Sequence, residues 1–149
     1  MLTETGLPPD ALALELTESA ILAGDDDHRR SLARLREIGV QLFLDDFGTG
    51  YSSLTHLTQL PIQAMKIDRS FVAGLPDNRH HAAVVQSLVT LSRELGIDVV
   101  AEGVETAAQL AALRAMRCPA VQGFLLDQPA AEPVLTPRVL PGTDRPRGR

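Results

Sequence analysis

Apolar residues recur along this chain in two rhythms, short unbroken runs and longer stretches with apolar positions three or four apart. The short runs are Ala11-Leu12-Ala13-Leu14 ending in Glu15, Gln41-Leu42-Phe43-Leu44 ending in Asp45-Asp46, and Ile62-Gln63-Ala64-Met65-Lys66-Ile67-Asp68. Two more follow, Ile97-Asp98-Val99-Val100-Ala101 ending at Glu102 and Pro119-Ala120-Val121 before Gln122-Gly123. Runs of this length between turn-forming residues read as buried strands. The longer stretches read as helices. Residues 28–38 space Leu32, Leu35 and Ile38 helically and stop at Gly39. Residues 79–95 line up Val84, Val85, Leu88, Leu91 and Leu95 before Gly96, and residues 106–116 form a third helix with Thr106 at its N-cap. A short helical turn is expected near residues 53–60. Strands alternating with helices of about 10–15 residues predict βαβ units, hence an α/β fold with a parallel sheet.

Composition narrows the class without naming a function. The chain has 149 residues, 44% of them hydrophobic and 22% charged, which suits one soluble domain with a core. Cys118 is the single cysteine, so no disulfide can form within the chain, and it reads as a small buried residue. No apolar stretch reaches the roughly 20 residues of a membrane helix, and the first residues resemble no secretion signal, so a cytoplasmic location is expected. The net charge of −5 argues against a protein that coats nucleic acid. That charge is uneven. Residues 136–149 hold Arg138, Arg145, Arg147 and Arg149 against Asp144, leaving ten basic and eighteen acidic residues in 1–135. We therefore expect a folded domain over 1–135 and a disordered Pro/Arg-rich tail over 136–149. An acidic body repels a phosphate substrate unless bound cations invert the local field.

Candidate chemistry sits at the strand ends. Each strand terminates in a polar group: Glu15, Asp45 with Asp46, Lys66 with Asp68, Glu102, and Gln122. In parallel α/β folds these C-terminal ends share one face, where the chemistry is placed. Successive strand residues point to opposite faces, so Asp45 and Asp46 can converge only where the strand gives way to a loop, and Gly48 and Gly50 permit that bend. Oxygen donors without histidine or cysteine suit Mg²⁺ or Mn²⁺ better than Zn²⁺. Plain structural readings stand beside these. Asp45 and Asp46 could be a cap and a turn acid, Glu15 and Glu18 a solvated strand end, and Lys66 an ion-pair partner of a neighbouring acid. Asp68 could serve structure or substrate, while His28, His56, His80 and His81 read as surface or helix residues. Asp25-Asp26-Asp27 reads as a solvated run capping the next helix.

Five segments together carry a resemblance. Leu14-Glu15-Leu16-Thr17-Glu18-Ser19, Asp45-Asp46-Phe47-Gly48-Thr49-Gly50-Tyr51-Ser52-Ser53-Leu54, Lys66-Ile67-Asp68-Arg69-Ser70-Phe71, Val100-Ala101-Glu102-Gly103-Val104-Glu105-Thr106 and Gln122-Gly123-Phe124 resemble, in this order, the EAL family of bacterial cyclic di-GMP phosphodiesterases. The resemblance covers about residues 3–130. It implies a TIM-type (β/α) barrel that hydrolyses one phosphodiester bond of cyclic di-GMP to linear pGpG with Mg²⁺ or Mn²⁺. It further implies that Glu15, Asp45, Asp46 and Glu102 are metal ligands, with Asp45 bridging two ions. Lys66 would contact the attacking water or the phosphate, and Gln122 would orient that water or the second metal shell. Glu18 and Glu105 would stabilise the loop after Asp46, which in this family couples metal binding and dimerisation to activity.

The sequence also departs from the family. The Glu-Ala-Leu motif that names it, whose glutamate is a ligand, is absent, and so is an asparagine ligand. Glu4 and Asp25-Asp26-Asp27 lie in the wrong context to replace them. A complete barrel needs on the order of 250 residues and eight strands, against five strands expected here. The expectation is a partial TIM-type barrel, the C-terminal portion of such a domain, with its missing part before Met1 and little or no turnover alone. Its exposed edge and interior invite homodimerisation or association with the missing N-terminal half. The second functional reading is a non-catalytic cyclic di-GMP receptor or regulatory module.

Overall fold

The structure, a computed structural model of the whole chain, describes residues 2–17, 20, 26–48 and 60–128. Its frame is a five-stranded sheet in which every neighbouring pair is parallel and the spatial order follows the sequence. The strands are β1 (Ala13–Thr17), β2 (Gln41–Phe47), β3 (Ala64–Ile67), β4 (Asp98–Ala101) and β5 (Ala120–Val121). The helices are α1 (Leu2–Thr5), α2 (Asp26–Glu37), α3 (Arg69–Ala73), α4 (Arg79–Leu95) and α5 (Ala107–Ala115), with a 3₁₀ turn at Pro9–Ala11. Sequential parallel strands, with helices between β1 and β2, between β3 and β4 and between β4 and β5, are one arc of a TIM-type barrel.

Gly96 and Thr106 act at the helix ends where the sequence places them, and Asn78 adds a further cap. Gly96 ends α4 with a left-handed φ of 69°, a conformation that costs glycine little. Asn78 opens the same helix by accepting from the backbone N–H groups of His80 and His81. Thr106 caps α5 in a full capping box: its hydroxyl accepts from the Gln109 N–H, while the Gln109 side chain accepts from the Thr106 N–H. Helix α3 is absent from the sequence expectation. Its five residues are too few for a periodicity signal, and it is nucleated by Asp68, whose carboxylate accepts from the Ser70 N–H.

One side of the sheet forms the core. Leu42 and Leu44 on β2, Met65 and Ile67 on β3, and Val99 and Ala101 on β4 are fully buried with Val72, Val85, Val89 and Leu113 from the helical segments. Helix α2 lies against β2, and α4 lies against β3 and β4. The central strand β3 is buried at all four positions, as a parallel strand covered on both faces requires. The other face carries, in register, Glu15, Phe43, Asp45, Ala64, Lys66 and Val100. Strand alternation has thus divided the chain into an apolar helical side and a polar side that would face a barrel interior.

Several expected features fall outside the described residues: Glu18, Asp25, Gly50, His56, the helical turn over most of 53–60, and the tail over 136–149. No helix among the described residues is long and apolar enough to cross a membrane.

Candidate functional site

The polar side converges on Lys66. Its Nζ lies 2.8 Å from Glu15 Oε1, 2.6 Å from Glu102 Oε1 and 3.5 Å from Asp45 Oδ1. Three strands and the segment after a fourth thereby contribute to one cluster: β1 gives Glu15, β2 Asp45, β3 Lys66, and Glu102 follows β4 directly. The Lys66 side chain is 7% exposed and that of Glu15 50%, so the cluster is dry at its centre and open toward β1. Burial alone pulls the Lys66 pKa down. The hydrogen bonds to Glu102 and Glu15 and the charges of Glu102 and Asp45 outweigh it and hold the ammonium well above the ordinary lysine value. The ion-pair reading of Lys66 is therefore present in the structure.

Glu15 sits in the middle of β1 rather than at its end, because that strand runs two residues further than its apolar run. The Asp45-Asp46 pair is arranged differently from expectation. The bend begins inside β2, at Asp46, whose φ is 55°, and continues at Gly48, whose φ is 101°. Between the Leu44–Met65 and Phe47–Ile67 pairings, β2 carries one residue more than β3. A bulge of this kind re-aims side chains. Plain alternation from Leu42 and Leu44 would turn Asp46 into the core and Phe47 outward; with the bulge, Phe47 is 4% exposed and Asp46 is exposed. Asp is among the few residues that adopt a left-handed φ readily. Asp46 thus stays on the polar side with Asp45. The charge of Asp45 raises the Asp46 pKa most, with desolvation and the charge of Asp68 adding to it and Lys66 opposing.

The other expected residues lie around this cluster. Asp68 accepts from the Ser70 backbone and hydroxyl, so it has a structural task as the cap of α3. Burial raises its pKa, but the bonds from Ser70 and Arg69 and the Arg69 charge prevail and hold it low. Gln122 follows β5, where its N–H donates to Ala101 and its carbonyl accepts from Val104, which fixes it beside Glu102. Glu105 precedes the α5 cap as an exposed residue, and its N–H donates to Gln109; the structure does not bring it into the Lys66 cluster. Cys118 is half-buried and donates to the Ala120 carbonyl, and burial pushes its thiol pKa up. The imidazole of His81 is half-buried against Phe71, and no pattern in the sequence distinguishes it from its neighbour His80.

Asp45 Oδ1 is buried and makes no hydrogen bond; its nearest cation, at 3.5 Å, is too far for one. A buried carboxylate oxygen without a partner is costly, and a hard cation would satisfy it. The donors are all oxygen, so the residues fit Mg²⁺ or Mn²⁺ in chemistry. Among the described residues, however, no three acidic, histidine or cysteine side chains approach closely enough to hold an ion unaided. The carboxylates face the Lys66 ammonium, which supplies the central positive charge.

Parallel strands in sequential order, with acids and a lysine gathered at one end, define a barrel-type α/β protein with an acidic site. Residues 1–129 match the EAL domain model, and the chain belongs to that family. It is 46% identical over 128 residues to the cyclic di-GMP phosphodiesterase NbdA of Pseudomonas aeruginosa, a match that takes in 86% of this chain and 16% of NbdA. It superposes on the phosphodiesterase of MucR, a Pseudomonas aeruginosa protein, in complex with cyclic di-GMP with a TM-score of 0.80 and 44% identity, covering 86% of this chain and 52% of that one. A manganese/cyclic di-GMP complex of Klebsiella pneumoniae BlrP1 gives a TM-score of 0.77 and 39% identity, covering 83% of this chain and 32% of that one. The chain thus spans about half of the solved MucR chain and under a fifth of NbdA.

Proposed function

We propose that this chain supplies part of the active site of a cyclic di-GMP phosphodiesterase that forms linear pGpG. The observation that carries the reading is the gathering of Glu15, Asp45 and Glu102 from separate sheet segments onto the buried Lys66. The relatives' names and the manganese complex of BlrP1 support the substrate and the ion class. Glu15, Asp45, Asp46 and Glu102 would hold Mg²⁺ or Mn²⁺, and Asp45 is the candidate to bridge two ions. When bound, such ions lower the pKa of a water and neutralise charge on a phosphate.

The chain's own residues have distinct tasks in this reading. Lys66 keeps three carboxylates together and leaves a fixed positive charge beside the scissile phosphate. Gln122, held by backbone bonds to Ala101 and Val104, orients a water through its amide. Asp68 fixes α3 and borders the substrate. Glu18 and Glu105 support the loop after Asp46. The ligands expected from the family but absent from this sequence would come from a polypeptide that supplies the remaining strands.

The test is calorimetry with cyclic di-GMP on the full chain, with and without Mn²⁺, alongside an assay for pGpG. The reading predicts nucleotide binding that requires Mn²⁺ and is weakened about tenfold or more in Asp45→Asn, with turnover slow until a complementing polypeptide is added. Nucleotide binding indifferent to Mn²⁺ and to Asp45→Asn would overturn it in favour of a receptor module.

A further inference from the structure

The turn that carries Asp46 rests on an aromatic ring from another element. Asp46 and Gly48 have left-handed φ values of 55° and 101°, so the backbone bends on both sides of Phe47. A Cβ on Gly48 would lie 3.1 Å from Phe71 Cε2, 3.6 Å from Phe71 Cζ and 3.8 Å from Leu88 Cδ1. The backbone of the turn is therefore seated on the Phe71 ring, close enough that a Cβ on Gly48 would press against it. The ring is backed in turn. The His81 imidazole meets it edge-on, with centroids 5.7 Å apart and planes at 69°. His81 is itself lodged against Gly74, where a Cβ would collide with the imidazole. Gly48, Phe71, His81 and Gly74 form a stack running from the Asp46 turn to the first turn of α4.

This stack differs from ordinary core packing in two ways. Phe71 and His81 are half-buried, unlike the core of Val72, Val85 and Val89 beside them. The Nδ1 of His81 is buried without a hydrogen bond, so the imidazole is held there by shape rather than by polar pairing. Helix α3 also meets the turn twice. Its cap Asp68 follows Ile67, the β3 partner of Phe47, and Phe71, three residues on, lies against Gly48.

From this geometry we infer that Phe71 is a positioning residue, a prop that fixes the Asp46–Gly48 turn and thereby aims the Asp46 carboxylate at the Asp45–Lys66 cluster. Its bearing on metal binding rests on the proposed function; its bearing on the turn does not. With the ring removed, the turn loses its seat while the Lys66 ion pairs stay in place. His81 acts one step further back, by holding the ring.

The full chain is compared as Phe71→Ala, Phe71→Leu and, as a control for loss of buried apolar volume without the ring, Val85→Ala. Amide hydrogen exchange at Phe47 and Gly48 is read together with Mn²⁺ affinity by calorimetry. Phe71→Ala should raise exchange at those two amides about tenfold above any change in Val85→Ala and weaken Mn²⁺ about tenfold to a hundredfold, with Phe71→Leu between it and the parent. Equal exchange in Phe71→Ala and Val85→Ala would overturn the inference. A parent chain that binds no Mn²⁺ would count against the proposed function, while the exchange comparison would still decide the role of Phe71. If Phe71→Ala does not fold, Phe71→Leu carries the same comparison.

Discussion

At the scale of the residue, the site is organised by one buried cation. Lys66 satisfies two carboxylates by hydrogen bonds and a third by charge, so removing it leaves partly dry acids facing one another. Breaking a fully buried pair costs about 3–5 kcal/mol. Glu15 is half-exposed, so for Lys66→Met we expect a smaller loss of about 1–3 kcal/mol by urea denaturation. Saturating Mn²⁺ should shrink that loss, because a bound cation replaces the missing charge; an unchanged deficit would contradict it. The pH dependence follows from the raised lysine pKa. Stability from such a group is fully present below the ordinary value of 10.5 and is lost as pH climbs through the higher folded value. The parent should thus lose stability faster than Lys66→Met above about pH 10.5, as read from denaturation midpoints across the alkaline range.

At the scale of the element, what was legible in the sequence is what local periodicity encodes. Residues 79–95 form α4 with the expected bounds because five apolar positions and Gly96 agree with one another. Thr106 caps α5 as its position before an apolar stretch implied. The strand ends bearing Asp45, Lys66 and Glu102 were legible for the same reason. Two features were not. The bulge at Asp46 depends on a mismatch between β2 and β3, which neither strand records alone. The seat of Gly48 on Phe71 joins residues 23 positions apart through tertiary packing. The reach of Glu15 to Lys66 is likewise a matter of sheet order; the resemblance supplied the role of Glu15 and could not supply its ion pair. Gly123 shows how tightly the end of β5 is fixed: a Cβ there would collide with the Val104 backbone. Gly123→Ala should cost about 1–3 kcal/mol or more, and Thr106→Ala about 1 kcal/mol through the lost cap. Chemical denaturation of the two variants checks both, and a Gly123→Ala midpoint equal to the parent's would contradict the packing described.

At the scale of the whole molecule, the sheet is an arc. Among the described residues β1 pairs only with β2, and β5 only with β4. Strand β1 alternates between exposed and half-buried positions, and among the described residues no strand pairs with its outer edge, a template for a further strand. Sedimentation velocity on the full chain should therefore show dimers or larger species at micromolar concentration, and a monomer with one cooperative thermal transition would contradict this. The polar face of the arc holds the acids, so whatever completes the sheet also encloses the site. Carboxylates from separate strands should act together on one divalent cation site, and Mn²⁺ titration of the full chain by calorimetry decides whether they do. The account predicts saturable binding that weakens about tenfold or more in Asp45→Asn and in Glu102→Gln; binding that is absent, or unchanged in both variants, would contradict it.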